Sequence, residues 1–177
     1  MKRYVVAVWL VVALVAVAGS PARAAEGQGT GGPEIVFLVR HAERADEGMA
    51  AAKAPGADPE LSQAGRTRAN ALAAMLKDAR ITSIFVTEYK RTRDTAQPLA
   101  KAIGLATVTI NANDSRLIQT VTAATGNVLV VGHSNTLPEV IKGLGITEPV
   151  SIAEGDYDNL FVVIKGEKPS LLRLHYR

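Results

Sequence analysis

The chain has 177 residues, no cysteine, and a formal net charge of +3 from 20 Lys and Arg against 17 Asp and Glu. Lack of cysteine excludes disulfide staples, thiol catalysis and cysteine-ligated metal. The basic excess does not argue for nucleic acid as a partner, because Lys2, Arg3 and Arg23 account for all of it.

Those three residues lie in an N-terminal segment with its own logic. Met1-Lys2-Arg3 is a basic start, Val5 to Ala18 is an unbroken apolar run, and Gly19-Ser20-Pro21 breaks it before Ala22-Arg23-Ala24. That order is a secretory signal peptide over residues 1–24, and it implies a periplasmic or secreted protein. A spanning helix needs ~20 apolar residues, more than this run provides; an uncleaved anchor is the alternative. After cleavage no membrane contact is expected, and the remainder is the size of one domain with a real core. Residues 25–33 read as a flexible Gly-rich leader, and 34–177 as the folded domain.

Within that domain, Glu34 to Val39 is apolar on both faces, as suits a strand buried in a parallel sheet. Ala45 to Glu60 reads as a long Ala/Gly/Pro loop. Leu61 to Ala79 has helical spacing with Ser62 as N-cap. A strand is predicted at Ser83 to Thr87, a helix at Thr92 to Ile103 with Pro98 inside it, and a weaker strand at Ala106 to Ile110. Helix, strand and helix follow at Ser115 to Ala124, Asn127 to Val131 and Leu137 to Leu144. Two last strands, Leu160 to Lys165 and Leu171 to Tyr176, are joined by a Gly/Pro turn. The alternation predicts an α/β fold, a sandwich around a mostly parallel sheet whose final hairpin makes one edge antiparallel.

The positions of the charges carry the functional signal. Arg40 and His41 follow the first strand, Arg91 and Arg93 come just after the second, and His133 ends the strand running to Val131. In a parallel sheet these are all carboxyl ends, where ligands of open α/β sheets bind. Arginines match phosphate oxygens with forked donors, and neutral imidazole is a nucleophile near pH 7. Phosphoryl transfer to histidine inside a cationic clamp fits this set. Metal binding fits less well: arginines repel a cation and no HExxH spacing is present. Nucleotide-binding glycine loops and a GxSxG serine are also missing, and Ser134 reads as a helix N-cap.

Four motifs in order then identify a family resemblance. LVRHAER (Leu38 to Arg44), Leu61-Ser62 with Gly65, TEYKRTRDTAQPLA (Thr87 to Ala100) and VVGHSNT (Val130 to Thr136) resemble the histidine phosphatase superfamily, branch 1, the phosphoglycerate-mutase-like group. The resemblance implies a three-layer α/β/α sandwich of phosphoglycerate mutase-like fold. It implies His41 as the phosphorylated nucleophile, His133 as second catalytic histidine, and Arg40 and Arg91 as the phosphate clamp. Arg93 is the alternative to Arg91. It further implies a small phosphorylated substrate and no metal or other cofactor. Ala42 stands where the family has glycine. The acidic proton donor has no motif match; Asp114 is the first candidate, with Glu43, Glu139 and Asp156 behind it, although Asp114 also reads as a helix cap.

Glu43 could bind substrate or equally pair with Arg44 or a clamp arginine. Tyr157-Asp158-Asn159 reads as a turn by the site mouth, and His175 as structural. The function expected is hydrolysis of phosphomonoesters through phosphohistidine on His41. The alternatives are a protein phosphohistidine phosphatase and a non-catalytic phosphate- or phosphosugar-binding protein.

Overall fold

A computed structural model describes residues 34–47 and 58–176. The signal segment, the leader and the middle of the Ala45 to Glu60 loop lie outside the described residues. Ten elements follow in chain order: β1 (Ile35–Arg40), α1 (Gln63–Leu76), β2 (Ile81–Val86), α2 (Lys90–Ile103), β3 (Thr107–Thr109), α3 (Arg116–Ala123), β4 (Asn127–Gly132), α4 (Thr136–Gly143), β5 (Asn159–Ile164) and β6 (Ser170–His175). The sheet order is β3-β2-β4-β1-β5-β6. The first four strands in that order run parallel, whereas β5 lies antiparallel to both β1 and β6. The expected antiparallel edge is thus two strands wide.

Each central strand is apolar on both sides because each side meets helices. Val128 and Val130 of β4 join Leu117, Val121, Leu137 and Ile141 of α3 and α4 in one core. Leu129 and Val131 face the other way, with Leu72, Leu76 and Leu99 of α1 and α2. Two cores on one sheet make three layers, α/β/α.

Local chemistry fixes the helix starts. The Ser62 hydroxyl accepts from the Gly65 amide at 3.1 Å, the N-cap expected from the sequence. Gly65 is required for another reason: a Cβ there would run into the backbone carbonyl of Glu43. Its bare backbone lets α1 lie against the segment that follows the first histidine. Gly65→Ala is expected to cost about 1–3 kcal/mol, read as a lower urea midpoint. Helix α2 begins earlier than the spacing suggested and runs through Pro98, which leaves out one ladder hydrogen bond.

At α4 the sequence reading of Ser134 needs correction. Asn135 holds the N-cap position without a side-chain bond. The hydroxyl that organises this turn belongs to Thr136, which accepts from the His133 amide at 2.9 Å. Among the described residues no helix is long and apolar enough to cross a membrane.

Candidate active site

Strands β1, β2 and β4 end on the same side of the sheet, and the residue after each carries the site: His41, Thr87 and His133. The His41 amide donates to Gly132 O at 2.9 Å, extending the β1–β4 ladder one step beyond the strands. Two neighbouring strand ends therefore hold the two histidines together, with ring centroids 5.3 Å apart and planes at 62°.

The His41 ring has a defined tautomer. Nδ1 lies 2.9 Å from Ala42 O, and a carbonyl can only accept, so Nδ1 carries the proton. Nε2 is left with its lone pair, the form a nucleophile needs. Ala42 is itself held by its amide, which donates to Thr95 Oγ1 at 2.9 Å; Thr95 in turn donates to Arg91 O at 2.7 Å. The methyl that replaces the family's glycine is fully buried and packs with Leu61 and Ala69. His133 Nε2 meets the Thr87 hydroxyl at 2.9 Å, and Thr87 meets Thr92 at 3.0 Å. With Nε2 engaged, Nδ1 is the ring nitrogen left for an anion.

Both clamp arginines flank this pair. Arg40 is buried, and its Nη1 donates to Ala153 O at 2.9 Å and to Glu154 O. Its guanidinium lies 4.3 Å over the Tyr157 ring, and that ring lies 6.0 Å from His41. On the other side Arg91 lies 4.1 Å over Tyr89, whose ring meets His133 edge-on at 5.2 Å. Asp58 sits 3.9 Å from Arg91 and accepts from the Lys90 amide at 2.8 Å. The Nε groups of both arginines are buried without a hydrogen-bond partner. A buried, unpaired cationic donor is costly unless something anionic meets it.

The environment keeps both rings neutral. Burial, followed by His133 and the two arginines, lowers His41 to about 3 despite its bond to Ala42. Burial, Arg91 and Arg40 lower His133 to about 4. The acid limb of kcat/KM, which reports free-enzyme groups, is therefore expected at these values rather than near the ordinary 6.5. The stability consequence has a definite sign. The unfolded chain binds these protons near pH 6.5 and the folded chain only near 4 and 3, so stability is complete above 6.5 and falls as the pH drops through that window. Calorimetry from pH 7 to 4 is expected to show a falling Tm that flattens in a His41→Asn variant.

The sequence candidates divide cleanly. His41, His133, Arg40 and Arg91 converge. Arg93 does not join them; it donates to Glu88 O beside its own helix start. Asp114, the first choice for proton donor, binds Arg116 through both carboxylate oxygens and caps the Arg116 amide at 2.9 Å. These bonds hold it below the usual carboxylate range, the reverse of what an acid requires. Glu43 pairs with neither Arg44 nor a clamp arginine but with Arg68, at 2.6 Å. Asp156 accepts from the Ala153 amide at 3.1 Å, and Glu139 stands exposed on α4. His175 lies 3.1 Å from Asp158 at the sheet edge. Thr87, Thr95, Tyr89 and Asp58 were given no role from sequence, although the first three fall inside the motif Thr87 to Ala100. Among the described residues no group of three His, Asp or Glu side chains is placed to hold a metal ion.

This geometry agrees with what comparison with known proteins finds. Residues 36–114 match the family model of the histidine phosphatase superfamily, branch 1. The match takes in His41, Ser62 and Arg91 and ends before β4 and His133. No curated protein matches this chain, but solved structures do. A protein of Agrobacterium tumefaciens assigned the name phosphohistidine phosphatase SixA is 24% identical, with a TM-score of 0.58 over 81% of this chain and 99% of its own. The protein histidine phosphatase SixA in complex with tungstate is 17% identical, with a TM-score of 0.58 over 80% and 96%. A mycobacterial glucosyl-3-phosphoglycerate phosphatase with inorganic phosphate is 16% identical, with a TM-score of 0.60 over 78% and 95%. At these identities the likeness is one of fold, and the fold is the phosphoglycerate mutase-like sandwich expected from the sequence.

Proposed function

We propose that this chain is a histidine phosphatase, an exported enzyme that hydrolyses small phosphate monoesters through a phosphohistidine on His41, without metal. The observation that carries this reading is the His41 tautomer: its Nδ1–H is spent on Ala42 O, so Nε2 presents a lone pair between two arginines. In the first step Nε2 attacks phosphorus and the ester P–O bond breaks, its electron pair leaving with the alcohol oxygen, which takes a proton from solvent water. In the second a water oxygen attacks phosphorus, the N–P bond breaks with its pair returning to Nε2, and the proton of the attacking water is lost to solvent. Arg40, Arg91 and His133 surround the equatorial oxygens, where preorganised donors stabilise the transition state. Their positive charge does the neutralising that a cation does elsewhere, which supports metal-free turnover.

A specific observation supports a phosphohistidine or similar substrate as the second reading. Asp114, Glu43 and Asp156 are all engaged away from the histidines. A leaving group that departs without a proton donor suits such a site. The named neighbours include a protein histidine phosphatase and a glucosyl-3-phosphoglycerate phosphatase. Hydrolysis of an aryl phosphate and of phosphohistidine, compared side by side with chelator present, tests the proposal. Chelator-resistant turnover supports it, and a rate ratio far in favour of phosphohistidine selects the second reading. Turnover that disappears with chelator and returns with a divalent cation contradicts the metal-free mechanism.

A further inference from the structure

The geometry points to Tyr157, held by Glu47, as a positioning residue that sets the plane of the Arg40 guanidinium against His41. The inference rests on the phosphatase reading of the site. Tyr157 belongs to the loop between α4 and β5, outside all four sequence motifs, and is buried.

Three contacts from this one loop define where Arg40 lies. The Tyr157 ring covers one guanidinium face at 4.3 Å, and the carbonyls of Ala153 and Glu154 take Nη1. Nε, buried and without a partner, remains as a donor. A long arginine side chain has rotamer entropy to lose, so a guanidinium already fixed in orientation binds phosphate with less ordering cost. The same ring stands 6.0 Å from His41 and so touches both the nucleophile and its neighbouring clamp.

The ring is itself oriented at its far end. Its hydroxyl donates to Glu47 Oε1 at 2.8 Å, and burial together with Glu47 raises the phenol to about 12, so it stays protonated. Glu47 sits at the foot of the long loop, whose two ends are zipped by the Arg44–Leu61 bridge and by Ala45 N donating to Glu60 O at 2.9 Å. Arg91 on Tyr89 repeats the arrangement on the opposite side, with the tyrosine edge against His133. Each clamp arginine thus rests on a tyrosine that also meets a histidine, although only Tyr89 lies within a motif.

The test compares Tyr157→Phe, Tyr157→Leu, Tyr157→Met and Glu47→Gln with the full chain. Inorganic phosphate affinity is read by calorimetry, kcat and KM with an aryl phosphate, and Tm for each protein. Removing the ring is expected to weaken phosphate binding about tenfold in both aliphatic variants, because Arg40 must then be ordered when the anion binds. Tyr157→Phe keeps the ring and is expected to restore affinity to within about threefold, as is Glu47→Gln. Unchanged phosphate affinity in the folded aliphatic variants would overturn the inference, and so would equal losses in Phe and Leu. Should Leu fail to fold, Met and Phe make the same comparison. Because phosphate affinity is measured without turnover, an inactive wild-type chain contradicts the phosphatase reading while leaving this comparison intact.

Discussion

His41→Ala is expected to lower kcat by at least about 10³-fold while inorganic phosphate still binds. The expectation separates catalysis from recognition. Removing Nε2 removes the atom that attacks phosphorus, and no other nucleophile stands between the arginines among the described residues; nucleophile deletions in comparable covalent mechanisms cost this much or more. Arg40, Arg91 and His133 keep their anchors, since the loop carbonyls, Tyr89 and Thr87 do not depend on the His41 ring. Steady-state rates and phosphate calorimetry on the same preparation check both halves. Unimpaired turnover would remove His41 from the chemistry. A wild-type chain that binds phosphate without turning over would make the site a phosphate receptor.

The second large effect is expected at Arg91. Arg91→Ala should reduce kcat/KM by about 10²–10³-fold, the usual result of deleting one donor from a preorganised anion site. Arg91→Lys should remain at least about tenfold impaired. Lysine keeps the charge but not the planar group that lies on Tyr89 at 4.1 Å, nor the buried Nε. Its geometry also explains why Arg93 is not interchangeable with it. Arg91 packs beneath Tyr89, whereas Arg93 turns back to the Glu88 carbonyl. Kinetics of the three variants decide the point; a lysine variant as active as the parent would show that charge alone suffices.

How much of this was legible in sequence depended on whether an interaction is local. A strand followed at once by Arg-His or by His places those residues at a carboxyl end whatever the rest of the chain does, so the positions of Arg40, His41 and His133 were readable, whereas the choice of Arg91 over Arg93 rested on the family resemblance. Ser62 was readable for the same reason, being a cap within one turn, whereas Gly65 was matched only through the family pattern and its close approach is to Glu43, far back in the chain. Local rules misled where two hydroxyls competed: Ser134 was the obvious cap, yet the Thr136 hydroxyl reaches the His133 amide. Asp114 carried its own refutation two residues away, in Arg116. The partners that stayed hidden are those made by chain reversal over long separations. Glu43 finds Arg68 because α1 packs against the segment after β1, and Tyr157 finds Arg40 because β5 returns antiparallel beside β1. Nothing in the turn Tyr157-Asp158-Asn159 announces which side chain it will cover.

The most direct measurement is to trap the intermediate. The full chain is mixed with an aryl phosphate, quenched in alkali within the turnover time, and mapped by peptide mass spectrometry. The expected result is one acid-labile, alkali-stable phosphoryl group on the peptide containing His41, absent from His41→Ala. Turnover that leaves no phosphoryl group on the protein in a quench timed to catch it, or a label on a residue other than His41, would contradict the mechanism.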